Sequence, residues 1–125
     1  MTTVTAFSME LADEFTTDDT SFVEITDSDV DKPTITDGKC LMVVNCTLKN
    51  SGNNRLYVRI DDDSTVVNYL KSEYPDSDYT TLSGGDTSDT DGQTYTLNTK
   101  ADSGTTTVSN TANDMQTSIS GLGVG

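Results

Sequence analysis

Between Lys39 and Ile60 the chain reads KCLMVVNCTLKNSGNNRLYVRI, and in two arms of this stretch apolar residues fall at every second position. Cys40, Met42, Val44, Cys46 and Leu48 mark the first arm, and Leu56, Val58 and Ile60 the second. Side chains alternate faces in a strand, so each arm presents one apolar face, whereas a helix would smear the same residues around its circumference. Arg55, Tyr57 and Arg59 occupy the opposite face of the second arm. Asn50-Ser51-Gly52-Asn53-Asn54, between the arms, is built of residues that accept turn or left-handed conformations cheaply. The pattern predicts an antiparallel hairpin over Lys39–Ile60 with one buried face.

Cys40 and Cys46 lie on the same face of one strand. Six residues of extended chain hold them about 20 Å apart, far beyond the reach of a disulfide. They are expected to be buried free thiols that pack as small hydrophobes.

The flanks predict further strands. Thr3 to Leu11 carries two phases, Val4 and Ala6 against Phe7, Met9 and Leu11, which calls for a bulge or a short helical turn. Thr16 to Thr20 reads as a polar turn, Ser21 to Thr26 as a strand, and Thr34 to Thr36 as another, with Asp37-Gly38 turning the chain into the hairpin. Beyond Ile60, Asp61-Asp62-Asp63-Ser64 reads as a turn and Thr65 to Leu70 as a strand. The acidic, Thr/Ser/Gly-rich stretch from Lys71 to Gly92 is expected to be a long loop, with a short element around Tyr79 to Leu82. Gln93 to Lys100 restores a strand with Tyr95 and Leu97 inward, Thr105 to Asn110 follows, and Asp114 to Ser120 closes the series with Met115 and Ile119 in phase. The tail Gly121-Leu122-Gly123-Val124-Gly125 is expected to stay loose or to be captured by a neighbour. About eight strands with turns between them, no amphipathic helix and no internal repeat give an all-β chain: a single antiparallel two-sheet β-sandwich domain over residues 1–125.

Charge decides what such a sandwich can meet. Asp plus Glu is 21 against 7 Lys plus Arg, a net charge of −14, which disfavours nucleic acid and anionic membranes as partners because both select a basic patch. Leu, Ile, Val and Phe together are only 25 of 125 residues, a share at the border of disorder, but their alternating placement favours a fold with an acidic surface. In molar salt the Debye length falls to about 3 Å and self-repulsion is screened, so a halophilic setting is expected, with stability that falls on dilution. No stretch approaches the run of about 20 apolar residues that crosses a bilayer, and the first residues lack the pattern of a secretory signal.

Catalytic chemistry finds little purchase. Histidine is absent, which removes the usual general base, the Ser-His-Asp triad and most zinc sites, and no phosphate loop or dinucleotide fingerprint occurs. Carboxylates are plentiful, but none is singled out as a catalytic pair. No enzyme activity, no catalytic residue and no cofactor is expected. Asp27-Ser28-Asp29-Val30-Asp31 has the alternating acids of a calcium loop, yet Lys32 stands where that loop requires glycine and Gly38 where it requires a bidentate glutamate. Asp61, Asp62 and Asp63, and the group Asp86, Asp89 and Asp91, remain candidates for hard cations, against the plainer reading of solvated turn acids. Asn45-Cys46-Thr47 matches a glycosylation acceptor but lies in mid-strand. Arg55, Tyr57 and Arg59 form the candidate interface: both arginines of the chain flank a tyrosine, residue types favoured at interface centres, and a neighbouring copy offers many carboxylates.

Several segments taken together resemble a known module. Phe15-Thr16-Thr17, Thr20-Ser21-Phe22-Val23-Glu24-Ile25-Thr26, Gly38-Lys39-Cys40-Leu41-Met42-Val43-Val44, Asn50-Ser51-Gly52-Asn53-Asn54-Arg55-Leu56-Tyr57-Val58-Arg59-Ile60 and Asp63-Ser64-Thr65 are similar to a jelly-roll-like β-sandwich module recurrent in structural proteins of tailed viruses. Gln93-Thr94-Tyr95-Thr96-Leu97 and Gly104-Thr105-Thr106-Thr107-Val108 look like its later strands, and the likeness covers about half the chain. The resemblance implies a virion component: a capsid decoration or spike, or a tail-fibre tip. It implies self-association, as a homotrimer or alternatively a pentamer, contact with other virion proteins such as the major capsid protein, and no catalytic residues. Because Met1 opens the module and no fibre shaft is present, a separately encoded small protein of a halophilic archaeal tailed virus is expected, assembled in the host cytoplasm. Two alternatives stand beside it: a tail receptor-binding module that uses the Lys71 to Gly92 stretch to recognise host surface glycans, and a cellular salt-adapted carbohydrate-binding domain. The latter would have to use the five Tyr, since Trp is absent.

Overall fold

The computed structural model describes residues 2–72, 78–110 and 116–125. Eleven strands run through them in chain order: β1 (Val4–Glu10), β2 (Phe15–Thr17), β3 (Val23–Glu24), β4 (Val30–Asp31), β5 (Thr34–Asn50), β6 (Tyr57–Asp62), β7 (Thr65–Lys71), β8 (Thr80–Asp91), β9 (Thr94–Lys100), β10 (Thr106–Val108) and β11 (Ser118–Val124). All pairings are antiparallel and fall into two sheets. The first sheet has the order β1-β11-β5-β10-β2, with β8 along the other side of β5; the second has β3 and β4 end to end along one edge of β9, followed by β6 and β7. The two-sheet β-sandwich expected from the alternation is therefore present, with more strands than the eight anticipated, several of only two or three residues and two, β5 and β8, of 17 and 12.

The alternation identified the buried face of each arm, but the two arms are not a hairpin. β5 belongs to the first sheet and β6 to the second, and the two do not pair. Cys40, Met42, Val44, Cys46 and Leu48 face Leu56, Val58 and Ile60 across the interior, all of them at most 2% exposed. Side by side in a hairpin, the two apolar faces would have been coplanar and each would have needed another cover; on opposed sheets they cover one another. The polar link between the arms is a corner. Asn50 Oδ1 accepts from the Gly52 N–H (2.9 Å), Asn50 Nδ2 donates to the Ser103 carbonyl (3.0 Å), and the Ser51 N–H donates to the Thr105 carbonyl (2.9 Å), so the link is tied to the β9–β10 connection. Both cysteines are buried and free, and burial pushes the Cys46 thiol up to about 12.

Four other local expectations are corrected. β1 needs no bulge: it pairs without interruption from Val4 opposite Val124 to Glu10 opposite Ser118, with Phe7, Met9 and Leu11 turned inward and Val4 and Ala6 outward. Phe15–Thr17 is a strand against β10, so the polar stretch begins on a strand and turns only after it. Thr34 to Thr36 is the start of β5, and Asp37-Gly38 is a kink within that strand, where the pairing with β8 slips between Thr34 and Lys39 and Asp37 takes a φ of 56°. In the last, the stretch expected to be a long loop is largely β8, paired with β5 from Thr80 opposite Leu48 to Asp89 opposite Lys39 and again at Asp91 opposite Thr34. Only Leu82 on β8 is a buried apolar residue, so backbone hydrogen bonds and close approach hold it: a side chain at Gly85 would collide with the Met42 carbonyl. Residues 73–77 of that stretch lie outside the described residues.

The glycine-rich tail is neither loose nor waiting for another molecule. It is β11, inserted between β1 and β5 and paired along both sides, and the Thr3 and Gly125 backbones bond each other beyond it. Gly121 sits on the inward side, where the Phe7 ring takes the space a side chain would need. The predicted inward partner Ile119 is fully buried; Met115, expected in the same phase, lies outside the described residues.

Candidate interaction surfaces

The outer faces of the two sheets differ in kind. On the second sheet the register sets Lys100 and Lys71 on either side of Tyr57, and Asn98 and Tyr69 on either side of Arg59. Phe22, just ahead of β3, joins them, with its ring centroid 5.9 Å from that of Tyr69. Arg59 lies over Phe22 at 5.1 Å, Lys100 over both Phe22 (5.4 Å) and Tyr57 (4.6 Å), and Lys71 over Tyr57 at 5.9 Å. Arg59 also holds Asp61 with both arms of its fork, Nε to Oδ1 and Nη2 to Oδ2, each at 2.9 Å, and Asn98 donates to the same carboxylate. Tyr57 donates to Asp102 (2.7 Å), and this hydrogen bond is the largest reason its phenol is held above the ordinary value; Arg55 acts in the opposite sense.

Arg55, Tyr57 and Arg59, the candidate interface of the sequence, therefore form one edge of a larger cation–aromatic group. Of its other members, Tyr69 and Lys71 come from β7, the neighbour of β6 in the chain, whereas Phe22 and Lys100 come from distant segments, ahead of β3 and at the end of β9. Four of the seven cationic residues, Arg55, Arg59, Lys71 and Lys100, belong to this region. Arg59 and Tyr57 are already engaged with Asp61 and Asp102 of the same molecule.

The first sheet presents a different surface. Across β1, β11, β5 and β8 the outward rows are Val4-Val124-Lys39-Asp89, Ala6-Leu122-Leu41-Thr87, Ser8-Ser120-Val43-Gly85 and Glu10-Ser118-Asn45-Ser83. Three of these positions are charged, and two of the three, Lys39 and Asp89, form an ion pair with each other. The middle of the face is an apolar ridge: Val4 is 61% exposed, Leu41 58%, Leu122 47%, Val43 46% and Val124 42%. Shallow grooves run beside it, one between Leu41, Leu122, Val124 and Thr87, the other between Leu41, Val43, Ser120 and Leu122. Sequence reading missed this face because half of it lies on the stretch read as a loose tail and on the stretch read as a loop.

The remaining candidates, Asp86, Asp89 and Asp91, do not converge. Asp86 turns inward and accepts from the Tyr95 hydroxyl (2.9 Å), Asp89 pairs with Lys39 on the outer face, and Asp91 reaches Lys32 (3.0 Å) at the end of β8. Asp61 and Asp62 are likewise engaged by Arg59 and Lys32. Among the described residues no three metal-ligating side chains gather in one place.

No protein-family model and no curated protein matches this chain. Among solved structures, murine APRIL at pH 5.0 superposes with a TM-score of 0.60 at 9% identity, covering 97% of this chain and 98% of that one. Eiger TNF from S. frugiperda superposes with a TM-score of 0.57 at 9% identity, covering 97% and 90%. A chain of the infectious bursal disease virus Gx strain gives 0.46 at 12% identity, with 33% of that chain covered. At such identities the likeness to the first two is one of fold: this chain has a TNF-like, jelly-roll β-sandwich.

Proposed function

We propose that this chain is a non-enzymatic structural protein that works by assembling with copies of itself, as a capsid decoration or spike of a tailed virus whose host lives in concentrated salt. The observation that carries the reading is the outer face of the first sheet. A molecule of net charge −14 repels its own copies everywhere except where charge is missing, and the ridge of Val4, Leu41, Val43, Leu122 and Val124 is such a place. Exposed apolar ridges of this kind mark association surfaces, and in molar salt both screening and the hydrophobic effect favour their burial.

Four strands by seven residues give a patch of about 19 by 23 Å. That is roughly half of the ~800 Å² per partner of a standard interface, so the ridge is the apolar centre of a contact whose rim comes from neighbouring strand edges. A closed ring suits this geometry, with a trimer favoured and a pentamer the alternative. The virion setting is supported by the segments that resemble tailed-virus modules, and the major capsid protein is the further partner that setting supplies.

Sedimentation velocity in molar salt tests the reading: a discrete oligomer is expected, and a monomer at all concentrations overturns it. A second reading, recognition of host surface glycans, is favoured by Phe22, Tyr57 and Tyr69 on the second sheet, since sugars stack on aromatic faces. Selective binding on a glycan array by the wild type, lost in Tyr69→Ala, would support it.

A further inference from the structure

Between the two sheets, at the end where β4, β6 and β8 meet, lies a buried lysine. The Lys32 side chain is 0% exposed, and its amine stands 2.6 Å from Asp62 Oδ2, 3.0 Å from Asp91 Oδ1 and 3.1 Å from Ser88 Oγ, with the Tyr95 ring 5.1 Å away. Asp62 Oδ1 is buried with no hydrogen-bond partner among the described residues. The amine is thus pressed against a carboxyl group that is only half stabilised as an anion, and a second carboxylate on the same nitrogen is positioned to carry a proton.

We propose that Lys32 and Asp62 are joined by an intramolecular amide bond that the folded chain forms on itself, with Asp91 as the proton relay. Burial alone would lower the amine's pKa, but the two carboxylates outweigh it and hold the amine charged, so the nucleophile arises by proton transfer inside the pair. Lys32 gives one proton to Asp62 across the 2.6 Å contact, leaving a neutral amine and a neutral acid. The nitrogen lone pair attacks the Asp62 carboxyl carbon, and the carbonyl electron pair moves onto its oxygen. A second amine proton passes to Asp91, which returns it to the departing hydroxyl as the carbonyl re-forms. One N–C bond is made, one C–O bond is broken, one water leaves, nothing is oxidised or reduced, and Asp91 ends as it began.

Position favours this outcome over a lasting ion pair. Two buried charges disappear, the remaining N–H can still donate to Asp91 or Ser88, and near-contact of nucleophile and electrophile is built into the fold. The bond would tie the residue that continues β4 to the end of β6, across β9, within the second sheet. Asp91, at the end of β8, is 41% exposed at its side chain, which lets the released water escape.

The test is the intact mass of the purified full-length chain under denaturing conditions. The wild type is expected one water lighter than its sequence, with a branched proteolytic peptide joining residue 32 to residue 62. Asp62→Asn would lose ammonia instead and converge on the same final mass, whereas Lys32→Arg would keep the full mass. Asp91→Asn is expected to accumulate the uncondensed form. The full sequence mass in wild type after prolonged incubation in the folded state overturns the proposal, and so does a water loss that persists in Lys32→Arg. Rapid, complete condensation in Asp91→Asn would remove Asp91 from it.

Discussion

The two outer faces of this sandwich solve the same problem in opposite ways. Both belong to a strongly acidic chain, and both must keep exposed strands from sticking indiscriminately. The second sheet gathers cations over aromatic rings and engages Arg59 with Asp61, and Lys100 and Tyr57 with Asp102. The first sheet all but dispenses with charge and leaves an apolar ridge in water. Residue type alone pointed to Arg55, Tyr57 and Arg59 as the place for a partner, and the apolar ridge stands beside them as the proposed rival: Arg59 already holds the Asp61 carboxylate, while an apolar ridge gains only when something covers it.

The strongest way to break the contrast is to put charge on the ridge. Leu41→Glu with Leu122→Glu is expected to weaken association by roughly 100-fold or more, about 3 kcal/mol, while circular dichroism shows the fold intact; an unchanged sedimentation pattern would move the interface elsewhere. Arg59→Ser tests the opposite face. It strips Asp61 of its fork and is expected to cost about 1–2 kcal/mol of stability, seen as a Tm lowered by roughly 3–8 °C, with association unchanged. Weakened assembly in the Arg55→Ser, Arg59→Ser double variant would restore the second sheet as the interface.

Salt should separate the faces further. Dilution from molar salt is expected to loosen the oligomer and to lower thermal stability together, because screening of a −14 charge and burial of the ridge both weaken. Equal stability at low and high salt would remove the halophilic setting.

The smallest effect belongs to Tyr57. Its folded-state pKa is raised, so the contribution is complete below the unfolded value of about 10 and is lost as pH rises through the folded value. A slight alkaline loss of stability is expected in wild type and should be absent in Tyr57→Phe, with no change in oligomeric state.

What could be read beforehand follows from what alternation encodes. Period two in Cys40–Leu48 and Leu56–Ile60 identifies inward side chains, and every one of them is buried. It is silent on whether two such arms lie side by side or face to face, since either arrangement hides the same residues; the Asn/Gly/Ser link serves a hairpin turn and a sandwich corner equally. β8 was invisible because Thr, Ser, Asp and Gly form it through backbone pairing, with Leu82 as its one buried apolar anchor. The second half of β11 was missed because two of its inward positions are glycines, Gly121 giving its space to Phe7 and Gly123 to Pro33 and Thr90, which leaves Ile119 as its one buried large apolar side chain. The cation–aromatic group and the Lys32 knot both depend on register between distant strands, which no local pattern carries.

The place of β11 fixes when the molecule can exist at all. It fills the gap between β1 and β5, so until that segment has been synthesised the first sheet stays open and Met42 and Val44 lack a neighbour on that side. Pairings this distant in sequence form slowly and expose unpaired edges meanwhile. Yet Leu122 and Val124 also supply much of the outward ridge. On the proposed reading, a nascent chain therefore lacks part of the surface by which finished copies would recognise one another until β11 has been made.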